Sequence, residues 1–382
     1  MHYEFAFYQV RPSSTPSVSE PHEIASYSLS EDHTFHLDER QLKYYYPPLP
    51  YSDLNSGYPD KYHPPKAGAY PISTAKDILE KKHINAKAEL FTWRGLITKI
   101  MCAPLYPKSQ WELKLRMEPD SGTIFMEEGE SSEKPYENQD RMCYWGYKFE
   151  VISTLPTIWD ACSRSVIEGR DNQPVIPDEQ YCSIVKYHIG RTRLILAGEV
   201  DCVWDAKPGV TPDSDLDGKV DSHVEQSEAL SPREESLPDP KRRKLEETHD
   251  SSDPSPTLEN PSPHYCELKT SKKQPLDHVG MRRKLLKFWA QSYLLGIGRI
   301  VIGFRNDDGI LTEIKELPTR QIPNLLRPYA KPQDWTANRL LVVLEQELDW
   351  LKKCVQKHPP NTKFTLQYSG NGKLVLRVHP HN

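Results

Sequence analysis

Arg193-Leu194-Ile195-Leu196-Ala197-Gly198-Glu199-Val200-Asp201-Cys202-Val203-Trp204 is the stretch whose reading decides the fold. It is mostly apolar and bounded by polar segments, the pattern of a β-strand. Side chains alternate faces along a strand, so Glu199 and Asp201 point the same way. Acids set in such a run are costly to bury unless a cation pairs with them.

Two further stretches repeat the arrangement. In Tyr265-Cys266-Glu267-Leu268-Lys269-Thr270, Glu267 and Lys269 share one face of a predicted strand and Leu268 takes the other. Tyr144 to Glu150, containing Gly146-Tyr147-Lys148-Phe149-Glu150, also reads as a strand, with Trp145, Tyr147 and Phe149 on one face and Glu150 on the other. Taken singly, each motif is ordinary: a Glu-x-Asp pair usually ends a solvated strand. A Glu-x-Lys pair is often only an ion pair worth under ~1 kcal/mol. Their conjunction on apolar strands is informative. If the three strands are neighbours, four carboxylates and a lysine converge, as a two-metal phosphodiester hydrolase requires. Carboxylate oxygens select Mg²⁺ or Mn²⁺ over zinc.

Five motifs in order resemble the DXO family of RNA 5′-end decapping nucleases. They are Phe91-Thr92-Trp93-Arg94-Gly95, Gly146 to Glu150, Glu199-Val200-Asp201, Glu267-Leu268-Lys269, and Gln291 within Trp289-Ala290-Gln291-Ser292. The likeness covers most of residues 20 to 380 and is greatest to the fungal nuclear branch, which partners the nuclear 5′→3′ exoribonuclease. It implies metal ligands at Glu150, Glu199, Asp201 and Glu267, with the backbone carbonyl of Leu268. It places Lys269 and Gln291 at the attacking water and scissile phosphate, beside the catalytic acids Glu199, Asp201 and Glu267. It assigns Trp93, Arg94, Gly95, Glu150 and Cys182 to substrate contact. It implies two Mg²⁺ or Mn²⁺ ions per site. The expected reaction removes incomplete or nicotinamide-dinucleotide caps, or pyrophosphate from 5′-triphosphate RNA, leaving a 5′-monophosphate. Read from the residues alone, Arg94 suits a forked contact to phosphate or an ordinary surface ion pair. Cys182 fits either a substrate contact or a small core residue. The same acids leave open a DNA-cutting nuclease and a non-catalytic partner of an exonuclease.

Composition bounds the rest. The chain has 382 residues, enough for a substantial core, with 37% hydrophobic residues and net charge −5. That charge argues against a broad basic surface coating nucleic acid. The seven cysteines form no Cys-x-x-Cys pair, and the fourteen histidines no metal-ligand spacing, which argues against zinc. With no signal peptide evident, reduced thiols in a nuclear or cytosolic compartment fit. No run of ~20 apolar residues exists to span a membrane.

Residues 1–30 read as a loosely ordered segment. Residues 31–205 and 265–382 read as a single α/β (α+β) catalytic domain of mixed β-sheets flanked by helices, with a nuclease-like cleft. Between them, 206–264 is dense in Ser, Pro and acids, the composition of a disordered insert. Inside it, Lys241-Arg242-Arg243-Lys244 resembles a nuclear-import signal. Tyr44-Tyr45-Tyr46-Pro47-Pro48 suits base stacking or packing across a sheet edge. Helices are predicted at 72–87, 281–295 and 337–356, strands at 91–102 and 299–304, and a hairpin at 364–368 and 373–378.

Overall fold

A computed structural model describes residues 1–10, 16–66, 71–129, 138–204 and 260–379. The predicted central strand forms as Thr192–Val200, parallel to Leu90–Trp93 on one side and antiparallel to Gln180–Ile189 on the other. These belong to a ten-stranded sheet. Beyond Gln180–Ile189 it continues through His22–Leu29 to Phe35–His36. Beyond Leu90–Trp93 it runs through Ile124–Glu128, Trp111–Met117, Lys363–Tyr368 and Lys373–His379 to His2–Ala6. The chain leaves this sheet at Val200 and enters a six-stranded sheet at Cys202. There Cys202–Val203 pairs with Tyr265–Lys272, which runs parallel to Arg299–Arg305. Asp201 therefore sits at the switch between sheets, one residue from each.

Three helices, Arg94–Cys102, Val279–Leu295 and Ala337–Val355, contribute Ile97, Leu285, Leu344 and their neighbours to the main core under the large sheet. A second core holds Ile72, Ile78 and Leu79 from the region of helix Ser73–Lys81. A third joins helix Gln139–Ile152 to the small sheet through Tyr144, Trp145, Phe149, Leu268 and Val301. The described residues thus form the mixed α+β domain expected, with two mixed sheets flanked by helices.

Four readings need correction. Tyr144 to Glu150 is not a strand but part of the helix Gln139–Ile152. Its alternating aromatics imitate period two, whereas the buried Trp145, Phe149 and Ile152 recur at four and three. The strand expected over 91–102 stops at Trp93, and Arg94–Cys102 is helical, burying Leu96, Ile97, Ile100 and Met101. The first thirty residues are not loosely packed where described: His2–Ala6 pairs with Lys373–His379, and His22–Leu29 pairs with Gln180–Ile189. They cover backbone edges that would otherwise go unpaired. Finally, packing resumes at Asn260, before the expected end of the insert: its Nδ2 donates to the Pro21 carbonyl at 2.8 Å, and its Oδ1 accepts from the Glu23 amide at 3.2 Å. The basic run Lys241 to Lys244 lies outside the described residues. Tyr44–Tyr45 forms a strand inside the small sheet, and Tyr45 stacks on Trp204 at 4.7 Å.

Helix Ala337–Val355 carries an anomaly. Glu347 is 2% exposed, and neither carboxylate oxygen has a hydrogen-bond partner. Burial alone pushes its carboxyl well above the ordinary carboxylate range. A raised folded-state value means the associated stability is fully present below the unfolded value. It is lost as pH rises through the folded one. Glu347→Met is therefore expected to stabilise the protein by about 1–3 kcal/mol near neutral pH. Urea unfolding should show a larger gain at alkaline than at mildly acidic pH.

Candidate active site

Glu199 is the penultimate residue of the central strand, Asp201 occupies the sheet switch, and Glu267 and Lys269 lie on Tyr265–Lys272, which pairs with Cys202–Val203. Glu150 arrives from the helix Gln139–Ile152. Lys269 Nζ reaches Glu267 Oε1 at 2.6 Å, Asp201 Oδ2 at 3.7 Å and the Leu268 carbonyl at 3.0 Å. The Leu268 amide donates to Asp201 Oδ2 at 2.6 Å. From the opposite side, Arg94 Nη1 donates to both Glu267 oxygens at 3.2 and 3.1 Å, and Nη2 to the Glu199 carbonyl at 3.4 Å. Gly198 makes room for this: a Cβ there would stand 3.0 Å from Arg94 Cβ.

Burial and crowding set the charges. Burial raises the Glu150 carboxyl well above its ordinary range, and the charges of Asp201 and Glu199 add to the effect. Burial and then Asp201 raise Glu199 in the same way. Asp201 is raised by burial, with Lys269 opposing. Burial also acts to raise Glu267, but Arg94 and Lys269 outweigh it and hold that carboxyl below its ordinary range. Burial would lower Lys269, yet its acidic neighbours keep its value raised, so it remains an ammonium. Two tightly held cations thus face four carboxylates, and the excess negative charge falls on Glu150, Glu199 and Asp201. These three line one cavity of about 60 Å³. No three acidic, histidine or cysteine side chains among the described residues stand at metal-ligating distance from one point. The all-oxygen donor set, the charge excess and the Leu268 carbonyl suit a hard divalent cation.

The remaining predicted residues are distributed around this cluster. Gln291, on helix Val279–Leu295, lines a second cavity of about 410 Å³ together with Gly95, Lys99, Trp111 and Lys287. A Cβ at Gly95 would meet nothing within 4 Å, so backbone there is open to approach. Arg94 is buried and spends its fork on Glu267. Trp93 is half-buried at the turn into the Arg94 helix. Cys182 pairs directly across from Glu199, but it is buried in the second core and lines neither cavity. Burial, then the Glu199 charge, pushes its thiol up to about 12. Sequence reasoning missed Lys43, Tyr147 and Gln180, which line the acid cavity, and Lys99 and Lys287, which line the larger one. Lys43 adjoins the tyrosine run, which drew attention to aromatic packing instead.

One support for Glu150 is testable through Gly303, on strand Arg299–Arg305 against the preceding Phe149. A Cβ there would sit 2.5 Å from the Phe149 ring. Gly303→Ala is expected to cost about 1–3 kcal/mol by overpacking. It should also displace the helix end carrying Glu150, so that urea unfolding and metal-dependent turnover fall together.

A mixed sheet delivering an acid pair at the end of its central strand, beside a Glu-x-Lys strand and a helix-borne glutamate, defines a nuclease of the PD-(D/E)XK class. The model of RAI1-like PD-(D/E)XK nucleases matches residues 19–231 and 247–382, and the chain belongs to that family. It is 59% identical over 377 residues to decapping nuclease din1 of Schizosaccharomyces pombe, covering 98% of each chain. Among solved structures it is similar to S. pombe Rai1 in complex with 3′-FADP, at 53% identity and TM-score 0.79, covering all of both chains. It is also similar to Candida albicans Rai1 in complex with pU5-Mn²⁺, at 25% identity and TM-score 0.77, covering 100% of this chain and 93% of that one. The protein is accordingly a nuclease, a hydrolase of phosphodiester bonds.

Proposed function

We propose that this protein removes incomplete caps, nicotinamide-dinucleotide caps and pyrophosphate from RNA 5′ ends, leaving 5′-monophosphate RNA. We place it in the nucleus, as partner and activator of a 5′→3′ exoribonuclease that consumes this product. The observation that carries the chemistry is the partly buried cluster of Glu150, Glu199, Asp201 and Glu267 around Lys269. The names of the relatives, a decapping nuclease and an oligonucleotide complex with Mn²⁺, support the choice of RNA ends. The nuclear setting rests on the basic run Lys241 to Lys244 and on the family resemblance.

The four acids and the Leu268 carbonyl would hold Mg²⁺ or Mn²⁺, two ions at full occupancy. Bound there, such ions stabilise charge on the phosphoryl oxygens and lower the pKa of water. Lys269 carries a fixed ammonium against the same carboxylates, placed to meet charge developing on a phosphate. Arg94 orients Glu267 and ties the Glu199 backbone into the site. Gln291, uncharged, orients substrate without competing for the cation. The larger cavity supplies Lys287 for the RNA backbone and Tyr106 and Trp111 as apolar faces for bases.

The test uses RNAs labelled near the 5′ end and bearing a triphosphate, an unmethylated cap or a nicotinamide-dinucleotide cap, each with Mn²⁺, Mg²⁺ or EDTA. Metal-dependent release of an intact cap or pyrophosphate, without cleavage of matched DNA, is expected. Preferential DNA cleavage, or binding to the exoribonuclease with no hydrolysis of any substrate, would overturn the reading.

A further inference from the structure

The acid cavity has a second wall that the chemistry above does not use. Beside Glu150, Glu199 and Asp201 it is lined by Gln41, Lys43, Tyr147 and Gln180. Lys43 is half-buried, and its ammonium makes no hydrogen bond or ion pair among the described residues. A lysine head group not engaged by an acid is free to receive an anion. Its charge nevertheless reaches the cluster, since it acts to lower the value of Glu150.

The position of Lys43 is built. Its carbonyl accepts from the Val203 amide at 2.8 Å, joining it to the sheet switch beside Asp201. The preceding turn is pinned by the Leu42 amide on the Glu39 carbonyl at 2.8 Å and the Gln41 amide on Ser28 Oγ at 3.2 Å. Ser28 Oγ in turn donates to the Asp38 carbonyl at 2.8 Å. Leu42 itself is buried in the main core.

Size and charge then select the ligand. A cavity of about 60 Å³ lined by these polar side chains suits the oxygens of a phosphoryl group. Arg94 and Lys269 are already engaged by Glu267. Substrates whose 5′ group carries extra phosphates bring additional negative charge to a site already rich in carboxylates. Among the described residues lining the acid cavity, Lys43 is the cation, and it pairs with no acid.

We infer that Lys43, with Gln41 and Gln180 as neighbouring donors, binds phosphate oxygens of the 5′ group beyond the scissile bond. Lys43 thereby favours polyphosphate-bearing ends over 5′-hydroxyl ends. This inference rests on the RNA-end reading above but is tested separately from it. Calorimetry on Mn²⁺-loaded full-length protein would use tripolyphosphate and orthophosphate as probes. Lys43→Gln is expected to weaken tripolyphosphate binding about tenfold and orthophosphate binding less. Lys43→Arg should restore most of the loss, and Mn²⁺ affinity should not fall in either variant. In parallel, the preference in kcat/KM for 5′-triphosphate over 5′-hydroxyl RNA should drop in Lys43→Gln. Absence of tripolyphosphate binding by the parent protein, an unchanged affinity in Lys43→Gln, or an equal loss of Mn²⁺ affinity would overturn the inference. If the parent cleaves no RNA yet loses tripolyphosphate affinity on substitution, the phosphate site stands and the RNA-end reading fails.

Discussion

Glu199→Gln is expected to lower hydrolysis by about 10³-fold or more while leaving the metal-free protein as stable as its parent, or more so. The substitution keeps the shape of the side chain and removes one charge from a partly buried cluster. Glu199 is raised by burial and then by Asp201, so its carboxylate is held against its own preference in the absence of a cation. The sign follows directly. An acid with a raised folded-state value contributes stability present below its unfolded value and lost as pH rises through the folded one. Thermal melts in EDTA should therefore show the variant gaining on the parent toward alkaline pH, with little difference in acid. In Mn²⁺ the order should reverse, because the parent alone gains the full stabilisation of a bound ion. Rate loss together with lower stability in EDTA would show Glu199 to be structural.

The second large effect concerns Arg94. Its side chain is 9% exposed against 1% for Glu267, and its fork also ties the Glu199 carbonyl. Arg94→Met leaves Glu267 with Lys269 as its one ion-pair partner among the described residues and is expected to cost about 3–5 kcal/mol. Lysine is a poor replacement, since one ammonium cannot span Glu267 and the Glu199 backbone in the same geometry. If the cost comes from an uncompensated carboxylate, Arg94→Met combined with Glu267→Met should be less destabilised than Arg94→Met alone. Urea unfolding of the four proteins of that cycle measures the coupling. Additive losses would place the role of Arg94 in packing.

Much of the site was legible because acids in apolar runs are conspicuous. Glu199, Glu267 and Lys269 lie on the strands that alternation marked, Asp201 follows the first of them at the sheet switch, and the structure places Asp201 and Glu267 around one lysine. Glu150 was found for the right residue but on the wrong element. Trp145, Tyr147 and Phe149 alternate like a strand, and only packing of Trp145, Phe149 and Ile152 on one side decides for a helix. The Arg94 helix was hidden similarly, since a short apolar run is compatible with either period. His2–Ala6 and His22–Leu29 escaped notice because an outer strand is defined by the partner it pairs with, which local sequence does not name. Lys43 could not be seen as special at all. A lysine acquires meaning only when the fold brings it beside Glu150, more than a hundred residues away in the chain.

The most direct measurement is an anomalous-difference map from crystals soaked in Mn²⁺. The account predicts density among Glu150, Glu199, Asp201, Glu267 and the Leu268 carbonyl, lost in Glu199→Gln crystals. Absence of density there, or binding elsewhere combined with RNA cleavage that survives EDTA, would contradict it.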